Sequence, residues 1–100
     1  MSNNKQQIES LKSEIVRIKS YIDSKKKTIQ ALKNDKSRVS DRYKDQIKRA
    51  EKKDKDTLRK RKQYEIDGLL KQVDSLKRTI DDYKTQIGRK KEEIKRLKSK

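Results

Sequence analysis

The densest positive charge in the chain is KKDKDTLRKRK, residues 52–62, and ammonium and guanidinium groups at that density are suited to holding anions. Phosphates fit best, because each can accept charge-assisted hydrogen bonds and each one neutralised on a nucleic acid releases condensed counterions. The candidate contacts are Lys48, Arg49, Lys52, Lys53, Lys55, Arg59, Lys60, Arg61 and Lys62 in the centre of the chain. Lys25, Lys26 and Lys27 precede that group, and Arg89, Lys90 and Lys91 follow it. On a helix such runs cover more than one face and make a diffuse positive surface. The tyrosines Tyr21, Tyr43, Tyr64 and Tyr83 are scattered, so little base stacking is expected. Contacts of this kind go to backbone phosphate and carry no sequence information.

Catalysis has little to work with. The absence of His and Cys removes the common general base, the common metal ligand and the thiol nucleophile. No glycine-rich loop follows a strand, and neighbouring carboxylates such as Asp81 and Asp82, or Glu92 and Glu93, diverge on a helix. The expectation is a protein that is not an enzyme and takes no cofactor and no metal.

The charge is also unevenly placed. Residues 25–62 carry 17 basic and six acidic groups, a net +11, and residues 89–100 carry seven and two, a net +5. Residues 1–24 sum to +1 and residues 63–88 to −1, which leaves one central and one C-terminal basic block. A total of +16 implies strong attraction to polyanions.

The elements that must carry this charge are helices. With 27% hydrophobic and 48% charged residues no thick core can form, and with Pro 0 and Gly 2 nothing cuts the chain into short elements. Apolar residues step by threes and fours through Ile8, Leu11, Ile15, Ile18, Ile22, Ile29, Leu32, Val39 and Tyr43, with Lys25 and Lys36 as cations on the same stripe. A second stripe runs through Ile66, Leu69, Val73, Leu76, Ile80, Tyr83, Ile87, Ile94 and Leu97, with Lys90 as its polar member. Both are coiled-coil seams. They also match as an internal repeat, by duplication or by convergence on one heptad: residues 7–33 and 72–98 are identical at 12 of 27 positions.

An offset of 65 is nine heptads plus two, so the two seams cannot share one unbroken register. Reversing the chain near residues 52 and 53 removes the conflict. Seam residues then face one another wherever their numbers sum to 105, as Ile8 does with Leu97, Ile22 with Tyr83 and Val39 with Ile66. Lys25, Lys36 and Lys90 fall opposite apolar residues, where the stem packs and the ammonium reaches water. A parallel dimer would set each of them against its own copy.

The expected fold is all-α, an antiparallel two-helix coiled-coil hairpin, with one long continuous helix in a parallel coiled coil as the alternative. Its expected parts are a polar N-terminal tail over 1–7, a first helix over 8–50, a turn within the basic tip over 51–57, a second helix over 58–98 and a tail over 99–100. Residues 34–40, NDKSRVS, are a second candidate break, since Asn, Asp and Ser favour caps and turns. Acids four residues before bases, Glu51 with Lys55 and Asp56 with Lys60, argue instead for helix through the tip. Gly68 and Gly88 weaken the second helix and are read as drift on an exposed face.

No family motif is present. The architecture resembles the basic antiparallel helical arm with which some tRNA synthetases hold RNA, and that likeness implies a phosphate-binding role. It also resembles small secreted helical hairpins with a Trp-x-Gly turn, but this chain has Trp 0, so their function is not carried over. The functional expectation is a basic coiled-coil protein that binds a polyanion, nucleic acid above all, through its backbone. The alternative is a structural scaffold that self-associates as a homo-oligomer or docks on an acidic protein partner. With no apolar stretch of membrane-spanning length, the protein is expected to be soluble and intracellular.

Overall fold

The computed structural model describes residues 2–99. They form two α-helices of equal length, α1 (Ser2–Arg49) and α2 (Lys52–Ser99), which run antiparallel as a helical hairpin. The chain reverses between them, so the alternative of one continuous helix does not hold.

Chain reversal takes only Ala50 and Glu51. The Ala50 amide donates to the Ile47 carbonyl at 3.3 Å, and the Asp54 amide donates to the Glu51 carbonyl at 2.9 Å. Both bonds span three residues, tightening the end of one helix and the start of the next. No described residue has a positive φ, so this turn needs no glycine. Lys48 and Arg49 sit in the last turn of α1, where the helix dipole is negative, and Asp54 sits in the first turn of α2, where it is positive.

Several sequence-based boundaries are corrected. The turn expected over 51–57 shrinks to two residues, because helix-supporting side chains such as Asp54 and Asp56 carry α2 back to Lys52. The polar tail expected over 1–7 is helical from Ser2, and α2 continues to Ser99. Residues 34–40 do not break α1, where the Gln30 side chain donates to Asn34 Oδ1 at 3.2 Å and keeps that amide on the helix surface.

The structure separates into two compact units, each with a segment of both helices. One comprises Met1–Lys26 and Lys77–Lys100, and the other Lys27–Leu76. In the first, Ile15, Ile18, Ile22, Ile80, Ile87 and Ile94 are buried. Tyr21 and Tyr83 meet across it with ring centroids 5.8 Å apart. Asn4 Nδ2 donates at 3.4 Å to the carbonyl of Leu97, one of the last-turn acceptors that α2 cannot satisfy itself. Lys90 Nζ donates to Glu14 at 2.9 Å.

In the second unit Ile29, Tyr43, Ile66 and Val73 are buried. Arg42 bridges to Glu65 at 2.8 Å while its guanidinium lies 5.3 Å from the centroid of the Tyr43 ring. All ten buried residues belong to the expected seams, and the other eight seam residues are half-buried. These four polar and aromatic contacts between described residues join positions whose numbers sum to 101, 104, 104 and 107, around the expected 105. Burying an isoleucine is worth about 1.5–3 kcal/mol and an exposed ion pair about 0.2–1 kcal/mol, so the seams hold the helices together and the ion pairs adjust them.

Lys25 and Lys90 are half-buried on the seam as expected, but Lys36 is exposed. Beyond it the stripe on α1 passes through Val39, Tyr43 and Ile47, in steps of four and four, and on α2 through Leu58, Lys62 and Ile66 likewise. Each of these residues is buried or half-buried. Steps of four relax the heptad towards an eleven-residue spacing, and both stripes do so at matching levels, Ile47 with Leu58 and Tyr43 with Lys62.

Candidate polyanion-binding surfaces

Because the turn is so short, two basic runs that are separate in sequence become one surface. Lys48 and Arg49 close α1, Lys52, Lys53 and Lys55 open α2, and Arg59 to Lys62 occupy its next turns, all in the unit Lys27–Leu76. Seven of the nine are exposed, while Lys55 and Lys62 are half-buried. Residues 48–62 contain three acids, Glu51, Asp54 and Asp56, against these nine bases. Lys53 lies 3.8 Å from Glu51, and Arg59 lies 3.3 Å from Asp56, but both cations keep most of their side-chain surface in solvent, 79% and 61%. Exposed pairs of this kind are weak and can exchange a carboxylate for a phosphate.

The N-terminus of α2 adds its own positive end at Lys52, and the bases of the last α1 turn offset the negative end of that helix. The two dipole ends cancel at the turn, so its positive charge comes from its side chains.

Not all expected contacts gather there. Lys27 lies in the same unit but 21 residues before Lys48, about 31 Å along the helix at about 1.5 Å per residue. Lys25, Lys26, Arg89, Lys90 and Lys91 belong to the other unit. Lys90 is 27% exposed and tied to Glu14, which makes it a seam residue first. Lys26 and Lys91 line a groove together with Lys19 and Lys84, two lysines outside the charge runs.

Tyr64 departs from the expectation that the scattered tyrosines add little stacking. It is 81% exposed, and with Lys60, Arg61 and Tyr43 it lines a groove of about 470 Å³ in the unit Lys27–Leu76. The signal was present in the sequence, since Tyr64 follows the run RKRK by one residue. An exposed ring beside two cations can stack an unpaired base.

Among the described residues no helix is long and apolar enough to cross a membrane. Fold and surface define a class, the basic antiparallel helical hairpin. Compared with known proteins, the chain matches no family, no curated protein and no solved structure.

Proposed function

We propose that this hairpin binds nucleic acid through the phosphate backbone at its turn end, without sequence specificity. The observation that carries the reading is the convergence of nine cations on a two-residue turn, with only three acids among them. Lys and Arg at this density engage phosphates, and nothing in the arrangement offers the fixed donor pattern that base edges require. Tyr64 beside Lys60 and Arg61 favours single strands over duplex, because only an unpaired base can stack on it.

The test is a charge reversal of Lys52, Lys53, Arg59, Lys60, Arg61 and Lys62 to Glu. Lys52 and Lys53 lie in the first turn of α2, where glutamate suits the dipole, and glutamate is a good helix former at the four later positions, so circular dichroism should show helicity retained. Binding to RNA and DNA strands should be lost at physiological salt, and the log–log salt slope of the parent chain should fall by roughly 0.7 for each single-strand phosphate contact removed. Unchanged affinity in that variant contradicts the reading. Tyr64→Ala should weaken single-strand binding by about 1–3 kcal/mol and leave duplex binding unaltered.

A coiled-coil scaffold is the second reading. Val16, 67% exposed, and Leu70, 40% exposed, are apolar residues off the seam that further helices could cover. Sedimentation at high salt, where self-repulsion is screened, should then show a concentration-dependent oligomer; a strict monomer contradicts it.

A further inference from the structure

Lys19 and Lys26 are seven residues apart on α1, and Lys84 and Lys91 seven apart on α2. All four line one groove of about 470 Å³ within the unit Met1–Lys26 and Lys77–Lys100. Beneath them lie Ile22 and Ile87, both buried in the seam. Seven residues is two helical turns, so each helix presents its lysines on one face about 10 Å apart. All four are exposed, and none is held in an ion pair among the described residues.

The groove is built by the internal repeat. An offset of 65 carries Lys19 onto Lys84, Ile22 onto Ile87 and Lys26 onto Lys91, so three residues of one copy stand beside the same three of the other. Two such copies running antiparallel are related by a local two-fold axis. Facing residues sum to about 105, as the Glu14–Lys90 and Tyr21–Tyr83 contacts bear out to within one residue, so the axis passes level with Ser20 and Thr85, which are repeat mates. Lys19 and Lys84 form the inner pair beside it. Lys26 and Lys91 form the outer pair, twelve residues apart in level, or about 18 Å along the groove. Among the eight residues that line the groove, the one departure from symmetry is Asp23, whose mate is Gly88, where an added Cβ would meet nothing within 4 Å. The glycine thus removes a second carboxylate from a site otherwise lined for anions.

A two-fold site reads the same from either end, and the ligand that fills it best does so too. Peptides and nucleic-acid strands have a direction, whereas an unbranched chain of inorganic phosphates has none. The groove is lined by no aromatic ring on which a base could stack, and about 18 Å is too long for one phosphate to bridge. We propose that this groove binds linear inorganic polyphosphate, with Lys19 and Lys84 holding the middle of a bound stretch and Lys26 and Lys91 its two ends. The site stands whether or not the turn end binds nucleic acid.

The test titrates the full chain with defined-length inorganic polyphosphate across a range of salt. It compares Lys19→Gln, Lys26→Gln, Lys84→Gln and Lys91→Gln combined against a control of equal charge, with Lys5, Lys12, Lys77 and Lys95 all replaced by Gln. The control lysines are exposed residues of the same unit, and both variants keep the basic turn. The groove variant should lose at least about tenfold in affinity, and its log–log salt slope should fall by roughly one per lysine in contact, while the control stays within about twofold. Gly88→Asp, which restores the second carboxylate, should weaken binding several-fold, and Gly88→Ala should not. Equal losses in the groove and control variants would overturn the site and leave only bulk charge. So would groove-dependent binding of a single-stranded oligonucleotide more tightly than polyphosphate of the same charge.

Discussion

The two units of the hairpin have equal length and similar charge but acquire their basic surfaces by different routes. The unit Lys27–Leu76 has 16 bases and nine acids, a net +7, and the unit Met1–Lys26 with Lys77–Lys100 has 16 and seven, a net +9. In the first, the surface joins runs that are near neighbours in sequence and flank a two-residue turn. In the second, it joins lysines 65 residues apart that only chain reversal brings to one groove. The charge run at residues 52–62 announces itself; the tetrad of Lys19, Lys26, Lys84 and Lys91 does not, since Lys19 and Lys84 lie outside the charge runs in nearly neutral stretches.

The cores differ as well. Six buried isoleucines hold the unit with the groove, against two isoleucines, a valine and a tyrosine in the unit with the turn. The largest expected effect therefore follows from truncating the seam. Ile18→Ala should cost about 2–3 kcal/mol, near the lower end for a buried isoleucine because a two-helix seam leaves room to relax. Leu32→Ala, at a half-buried position of the other unit, should cost about half as much; denaturant unfolding followed by circular dichroism measures both. An equal cost at the two sites would erase the distinction between the cores.

Smaller and of opposite sign is the effect of the glycines. Gly68 lies in one unit and Gly88 in the other, each on an exposed face of α2 with open space beside its Cα. Either one changed to Ala should stabilise its helix by about 1 kcal/mol. A loss of stability at one position would mean that something packs there.

Smallest is the ion pair of Arg42 with Glu65, both partners of which are about half exposed. A double-mutant cycle should give a coupling below about 1 kcal/mol that shrinks as salt is added.

The seams were legible because burial in a two-helix coil follows one stripe per helix, and stepping by threes and fours names that stripe directly. Ile18 pairs with Ile87 because a reversal between Lys52 and Lys53 sets each a position against a d position at a facing sum of 105. The turn is shorter than the sequence suggests because a stretch rich in like charge reads as an interruption, although Asp54 and Asp56 support helix there. Strict heptads put Lys36 on the seam, whereas near the turn both stripes shift to steps of four and leave it exposed. Tyr64 is not legible from periodicity, which assigns faces but not the neighbours on those faces, and its value lies in the company of Lys60 and Arg61.

Both basic surfaces depend on chain reversal at Ala50 and Glu51, and the most direct test of that is a distance. Spin labels at Lys12 and Glu93, exposed neighbours of the facing seam residues Leu11 and Ile94, can be read by pulsed electron resonance in labelled chain diluted with unlabelled chain. Helix axes about 8–10 Å apart predict a separation within about 20 Å. A separation near 120 Å, that of 81 residues at about 1.5 Å each along one continuous helix, would contradict the hairpin and with it both binding surfaces.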